Sequence, residues 1–421
     1  LDSKLKHIRI FEHQSLKLDK EYNGVCFDEP KLKALQTLYG NKGVPYYNLI
    51  HNGVCFNEFV GVLQVGSLLI EVLPKADRKN STSESESQED FWQRMLIGMI
   101  RAVYGFEVHK TSLGNLKIKH NSILDIYIEM FVKELEFLLN KGLVKKYRKT
   151  ESNLPVLKGA LQFNKHIQHN ITHQERFYVN HITFDVEHQL HYILYKALKL
   201  VKNININPSL QSKIGALFLN FPEMPDIKVS EQSFDKITLN RKTQSYSKAL
   251  EIARLLLLNY HPDVSKGRNN VLALMFDMNL LWEEFMYVSL RSDKQMKVNK
   301  QKTKYFWQPR DGGRRTIRPD IRIEYGNNIY ILDTKWKMIS NKPAIEDLRQ
   351  MYVYYQYFEA AKVALVYPGT GSGYCGNYFD TGDNQELTEM ECSIKFIEVQ
   401  ENINKWKSYI CEGITKWIQN N

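Results

Sequence analysis

Cysteine is scarce in this chain: five residues in 421, at Cys26, Cys55, Cys375, Cys392 and Cys411, odd in number, far apart and without a CxxC pair. That spacing argues against a disulfide scaffold, a zinc ribbon and a redox couple, and leaves reduced structural thiols as the simplest reading. No run of about 18 apolar residues occurs, so no membrane-spanning helix and no membrane partner are expected. The opening LDSKLKHIRI lacks a secretory pattern, which makes a cytoplasmic protein the expectation. There is no GxxxxGK[ST] sequence, so nucleotide hydrolysis by a P-loop of this chain is excluded. The GTGSG at 369–373 lacks the following Lys-Ser/Thr and reads as a flexible loop. No internal repeat is present.

What is there is an ordinary globular composition, 43% hydrophobic and 25% charged, with a formal net charge of +10. The field of such a chain attracts polyanions, of which nucleic acid is the commonest. The length suggests two or three folding units.

From the start to about residue 73 the pattern is short and β-like, with GVCFNEFVGVLQVGSLLIEVLP partly alternating between glycines. KADRKNSTSESESQED at 75–90 reads as an exposed polar loop. Helical spacing follows in FWQRMLIGMIRAVYG and in NSILDIYIEMFVKELEFLLNKGL, the latter stopping at Gly142. The middle reads as largely helical, interrupted by the strand-like LPVLKGALQF and resumed by VEHQLHYILYKALKLV and SYSKALEIARLLLLNY. His166, His169, His173, His181, His188 and His191 crowd this part without a recognised ligand motif, which disfavours a zinc site.

The informative stretch is KYFWQPRDGGRRTIRPDIRIEYGNNIYILDTKWK at 304–337, read as a small β-meander with turns at 311–313 and 325–328. A hairpin centred between Gly326 and Asn327 pairs Tyr325 with Asn328 and sets Asp320 opposite Asp333. Directly opposed residues have Cβ atoms about 4.5–5.5 Å apart, and two carboxylates so placed repel unless a cation sits between them. Lys335 follows on the face of Asp333, while Thr334 is expected to point away and leave its backbone carbonyl near the carboxylates. Hard oxygen ligands from Asp320, Asp333 and the Thr334 carbonyl suit Mg²⁺, with Mn²⁺ as an expected substitute. Lys335 is then placed to orient or deprotonate a water and to stabilise charge on a phosphate.

VLALMFDMNLLWEEFMYVSL at 271–290 reads as one helix, and its Glu283 is a candidate to complete the metal shell, with the wet face of the helix as the ordinary alternative. Asn341 and Pro343 are expected to start a helix on which Gln350 and Tyr354 lie one turn apart, able to meet one substrate together. KVALVYP reads as a buried strand that completes an αβββαβ order. Arg310, Arg314, Arg315 and Arg318, beside Phe306 and Trp307, are candidate phosphate clamps.

MNxLWExF at 278–285, RPD at 318–320, LDTKWK at 332–337 and DLRQMYVY at 347–354 resemble the McrC family, the nuclease subunits of McrBC modification-dependent restriction systems. IEVLPK at 70–75 and LKGALQF at 157–163 are also similar to that family, so the resemblance spans most of the chain. It implies an α/β (α+β) architecture: a C-terminal PD-(D/E)XK restriction-endonuclease-like core at 266–421, a helical middle at 166–265, and a partner-binding region at 1–165, β-rich and then helical. It implies Asp320, Asp333 and Lys335 as the catalytic trio, supported by Glu283, Gln350 and Tyr354, the last two resembling the QxxxY element of RecB-like nucleases. The implied substrate is double-stranded DNA, methylated or not. The implied partner is a McrB-like AAA+ GTPase hexamer that supplies GTP hydrolysis. A freestanding RecB-like repair nuclease and a non-catalytic DNA-binding adaptor of an AAA+ motor stay open as alternatives.

Overall fold

The computed structural model describes residues 6–40, 43–65, 68–75, 85–103, 123–205, 207–261, 271–293, 295–300, 302–310, 312–337, 342–380, 382 and 386–419. It divides into two compact units, Leu1–Asn115 with Met275–Asn421, and Leu116–Leu274. The first unit therefore joins the two ends of the chain.

In its N-terminal part, the strand Leu68–Leu73 pairs in parallel with Lys6–Phe11 and antiparallel with Phe59–Val65. Every residue of Leu68–Leu73 is buried, including Glu71. That charge is matched by Gln93, whose amide donates to it at 2.8 Å, and by His7 and Arg9 at 3.1 and 3.4 Å. A buried carboxylate persists when it is paired and hydrogen-bonded in this way. The polar run after Lys75 is not all loop: within it, Ser85 already begins the helix Ser85–Val103. Residues 76–84 lie outside the described part.

The C-terminal part of the same unit is a six-stranded mixed sheet in the order Lys297–Lys300, Ile321–Tyr325, Asn328–Thr334, Lys362–Pro368, Leu387–Ile397, Tyr374–Phe379. The two pairings flanking Lys362–Pro368 are parallel and the others antiparallel. The hairpin register is the expected one, Tyr325 opposite Asn328 and Glu324 opposite Ile329, with Gly326 at φ 60° in the two-residue loop. Positive φ at the first loop position is where glycine is needed. On one sheet face Ile331, Val363, Leu365, Tyr367 and Ile394 pack with Met351, Tyr354 and Phe358 of the helix Ile345–Phe358. Burying each such aliphatic side chain contributes about 1.5–3 kcal/mol. The helix Ile403–Gln419 buries Trp406, Ile410, Ile414 and Trp417 at three- and four-residue spacing, and Trp406 stacks on Trp282 with ring centroids 5.6 Å apart.

Three sequence expectations change. Val271–Asp277 is a strand, and the helix starts at Met278, where the Asp277 side chain accepts from the N–H groups of Asn279 and Leu280 at 2.8 and 3.2 Å. A short continuous apolar run such as VLALMF satisfies both periods, and the N-cap aspartate decides. The helix after the hairpin begins at Ile345 with Ala344 at its cap, so Pro343 precedes the cap, and Asn341 lies outside the described residues. The meander is split: Lys304–Trp307 and Arg315–Ile317 form a two-stranded ribbon of their own, separate from the six-stranded sheet.

The second unit contains the helices Ile123–Lys141, Gln189–Ile204 and Ser247–Leu258, as the periodicity predicts, and a further helix, Pro208–Asn220, that the sequence reading did not include. The strand-like LPVLKGALQF holds the short strand Ala160–Leu161, but the sequence reading omits its partners in a three-stranded antiparallel sheet, Phe177–Asp185 and Lys146–Leu154. Gly159 enters it at φ 79°, and a Cβ there would stand 2.4 Å from the Asn180 carbonyl oxygen. Gly159→Ala is therefore expected to destabilise this unit by about 2 kcal/mol or more; an unchanged urea midpoint would contradict the close approach. The crowded histidines divide between uses. His166 and His169 stack on Phe177 and Tyr178, whereas His188 and His191 are drawn into a hydrogen-bonded group with Val144, Val186 and Tyr246.

Candidate functional site

Asp333 lies two residues after Ile331 on the central strand Asn328–Thr334, so the pleat aims it at the face that packs against the helix Ile345–Phe358. It is fully buried. Lys335 Nζ is 2.6 Å from its Oδ2, yet neither carboxylate oxygen receives a hydrogen bond of good geometry. Burial, then the neighbouring Asp320 charge, push the Asp333 carboxyl well above the usual carboxylate range, against the pull of Lys335. For Lys335, burial works to lower the pKa, but Asp333, Asp320 and Asp347 outweigh it and the net shift is upward.

Asp320 follows the buried Pro319, one residue before regular pairing begins at Ile321 opposite Leu332. Its Oδ2 accepts from the Thr334 N–H at 2.7 Å and from Thr334 Oγ1 at 3.0 Å. The Thr334 hydroxyl thus serves Asp320, where the alternation of the strand suggests a side chain turned away. The change arises because Asp320 sits past the end of its own strand and reaches across to the next one.

Gln350 and Tyr354 come together as the i, i+4 spacing predicts. Gln350 Nε2 donates to Tyr354 OH at 2.8 Å, its Oε1 is 3.5 Å from Lys335 Nζ, and Tyr354 OH donates to the Arg318 carbonyl at 2.8 Å. Burial first pushes the Tyr354 hydroxyl up to about 12, so it stays a proton donor. This chain of contacts ties the helix to both the lysine and the loop that carries Asp320. Arg310, Arg314, Arg315 and Arg318 are all exposed, and of these Arg318 is tied to the site through its backbone carbonyl. Glu283 is buried on the helix Met278–Leu290, one turn after Asn279, whose Oδ1 accepts from the Trp336 N–H at 3.2 Å.

Sequence reasoning gave no role to Asp347, Trp336 or Glu12. Asp347 lies on the face of Gln350 and Tyr354 at i, i+3 and i+7, the spacing that would have found it, and its Oδ2 is 2.5 Å from Lys337 Nζ. Trp336 Nε1 donates to Glu12 Oε1 at 3.0 Å. Burial pushes Glu12 up to about 7, against the lowering effect of its bonds from the Lys75 N–H and Trp336. Only the fold brings residue 12 there.

The site suits a hard divalent cation on chemical grounds, because a buried carboxylate with two unsatisfied oxygens beside a second carboxylate is costly without one. Among the described residues no three His, Cys, Asp or Glu side chains converge as a metal shell. The protein side chains on offer are Asp320 and Asp333.

Together these elements define a mixed α/β protein whose larger sheet carries a buried aspartate, paired with a half-buried lysine, next to a second aspartate. The chain belongs to the McrBC 5-methylcytosine restriction system component family, whose profile matches residues 54–368, and it is of the McrC type. It is 22% identical over 266 residues to the type IV methyl-directed restriction enzyme EcoKMcrBC of Escherichia coli (strain K12), a match covering 58% of this chain and 72% of that one. Its fold is similar to a chain of the refined half-complex from the tetradecameric assembly of Thermococcus gammatolerans McrB AAA+ hexamers with bound McrC. The TM-score is 0.69 at 18% identity, over 98% of this chain and 100% of that one. A second solved structure, the cryo-EM McrBC complex of the same organism, matches with TM-score 0.50 and 18% identity over 68% and 87%. Among the described residues no helix is long and apolar enough to cross a membrane.

Proposed function

We propose that this chain is the Mg²⁺-dependent DNA endonuclease subunit of a McrBC-like restriction complex, with a PD-(D/E)XK core formed by the six-stranded sheet and its helices. The observation that carries the reading is Asp333, fully buried with both oxygens unsatisfied, 2.6 Å from Lys335 and beside Asp320. Asp320 and Asp333 would hold the cation, with the Thr334 carbonyl; Glu283, expected to complete the shell, does not converge with them as a third ligand among the described residues. A divalent cation there supplies charge neutralisation of the scissile phosphate and lowers the pKa of water. Lys335 donates to the developing charge and Gln350 fixes its position. Arg314, Arg315 and Arg318 hold flanking phosphates of double-stranded DNA.

GTP enters only through a McrB-like AAA+ hexamer. Support for that partner comes from the family and from an exposed apolar surface of the second unit. Phe163, Ile167 and Ile171, spaced by four residues, are 69%, 61% and 73% exposed, and Tyr147, Ile182 and Phe184 are 77%, 58% and 55% exposed on the neighbouring sheet. A patch of that kind marks a protein contact. We assign it to the AAA+ ring, which carries the partner-binding region past residue 165. Ile167→Asp is expected to lower stimulation of the partner GTPase about tenfold or more, as loss of a buried apolar anchor does, while leaving the melting temperature of the chain unchanged. Full stimulation by this variant would remove the patch from the interface.

The function itself is tested by Mg²⁺-dependent cleavage of methylated and unmethylated plasmid, with and without the cognate AAA+ GTPase and GTP. Asp333→Ala is expected to lower cleavage by at least about a thousandfold, in the range of lost catalytic groups, while GTPase stimulation persists. Cleavage unchanged by that substitution would leave the chain a DNA-binding activator of the ring.

A further inference from the structure

The ribbon of Lys304–Trp307 and Arg315–Ile317 is unusual in what it exposes. All four residues of its first strand are exposed, three of them aromatic, with Tyr305 at 65%, Phe306 at 45% and Trp307 at 57%. The other five tryptophans of the chain, Trp92, Trp282, Trp336, Trp406 and Trp417, are at most 7% exposed. Large aromatics are normally spent on the core, and a lone two-stranded ribbon is marginal in water, so this composition has no folding rationale.

The ribbon is held at its base and open elsewhere. Its register shifts between Tyr305, opposite Thr316, and Trp307, opposite Arg315, leaving Phe306 at a bulge. A bulge re-aims a side chain, and Phe306 turns against Tyr357, with ring centroids 5.3 Å apart. Lys304 Nζ donates to the Tyr357 carbonyl at 2.5 Å. Tyr357 belongs to the helix Ile345–Phe358, which also bears Gln350 and Tyr354, so the anchor and the candidate site share one rigid element. Tyr305 is covered on one side by the Arg314 guanidinium, 4.6 Å from its ring centroid. The Trp307 indole has no ring partner and no side-chain hydrogen bond among the described residues.

We propose that this ribbon is a DNA wedge: Trp307, backed by Tyr305, stacks on bases at a partly unstacked step of the duplex, while Arg314 and Arg315 hold the phosphates on either side. The inference rests on the nuclease reading above and extends it to the shape of the substrate. Charge decides for nucleic acid over a protein partner, because residues 302–317 hold five cationic side chains, Lys302, Lys304, Arg310, Arg314 and Arg315, against one acidic residue, Asp311. Apolar wedges beside arginines are how proteins kink or unstack a duplex, and stacking on an aromatic ring tolerates any base sequence. Reach agrees with this. Arg315 is five residues from Asp320, a chain span of at most about 18 Å. At about 3.4 Å per base step that places Arg315, across the ribbon from Trp307, within about five steps of Asp320.

The test uses the full chain in Ca²⁺ with a short duplex carrying 2-aminopurine, read by acrylamide quenching of tryptophan emission and by 2-aminopurine emission. Since the other tryptophans are buried, quenching reports Trp307. The expected result is that duplex shields Trp307, that 2-aminopurine emission rises on binding, and that Trp307→Ala loses the rise and weakens binding about tenfold, the scale of one stacked base. Shielding by the AAA+ partner alone, with no effect of duplex, would overturn the wedge in favour of a protein contact. Equal binding and an equal 2-aminopurine rise for wild type and Trp307→Ala would overturn it too, while plasmid cleavage by wild type would leave the nuclease reading standing. No duplex binding by wild type, with or without the partner, would overturn both.

Discussion

Asp333→Asn is expected to raise the stability of the metal-free chain by about 1–3 kcal/mol while removing DNA cleavage. The size follows from the usual penalty for a buried polar group left without partners. Asp333 is fully buried on the central strand, and its oxygens have only the ion-pair approach of Lys335 to offset their lost hydration. An amide of the same shape carries no charge to desolvate. The proposed function accounts for the acid: a site assembled to hold a cation would be destabilising until the cation arrives, and active sites commonly trade stability for chemistry. Added Mg²⁺ should raise the unfolding midpoint of wild type and leave that of Asp333→Asn where it was. A variant less stable than wild type in chelator would mean that the Asp333–Lys335 pair is a structural ion pair, and would weaken the nuclease reading.

The second unit should lose stability in mild acid through His191. Its imidazole is buried beside His188, bonded to the Val186 carbonyl and to Tyr246 OH, which itself accepts from the Val144 N–H. Burial foremost lowers its pKa from 6.5 to about 4, opposed by the Val186 bond and assisted by His188 and Lys146. Above pH 6.5 folded and unfolded chains are both neutral at this residue and its full contribution is present. As pH falls towards about 4 the unfolded chain binds a proton that the folded one refuses, and about 3 kcal/mol is lost. His188 shifts in the same direction, also by burial. Urea titrations at intervals from pH 7.5 to 4.5 should show a midpoint that falls with pH, and His191→Gln should flatten that slope from a lower starting stability. Parallel slopes for the two proteins would rule out His191 as the source.

The candidate site was legible because it is local. Asp320, Asp333 and Lys335 sit on one hairpin whose turn residues set the register, and Gln350 with Tyr354 needs only helical spacing. What was not legible depends on distant packing. Nothing in the sequence joins Glu12 to Trp336, 324 residues apart, because their contact requires two sheets of one unit to form first. Val271–Asp277 was misread because a buried strand and a buried helix segment share the same unbroken apolar pattern. The sheet at 146–185 hid for a different reason. Its strands KYRKTESNL and FYVNHITFD are rich in polar residues and expose apolar ones, the inverse of a folding signal. The ribbon at 304–317 was legible as strands, but its separation from the main sheet was not, since hydrogen-bond partners are chosen beyond the hairpin.

The central claim is that Asp320 and Asp333 form the seat of a divalent cation, and Mn²⁺ binding followed by electron paramagnetic resonance measures it without DNA or partner. Wild type is expected to bind Mn²⁺ competitively with Mg²⁺, and Asp320→Ala and Asp333→Ala are each expected to abolish that binding while the chain remains folded. Mn²⁺ bound equally well by wild type and both variants would place the metal elsewhere and contradict the account.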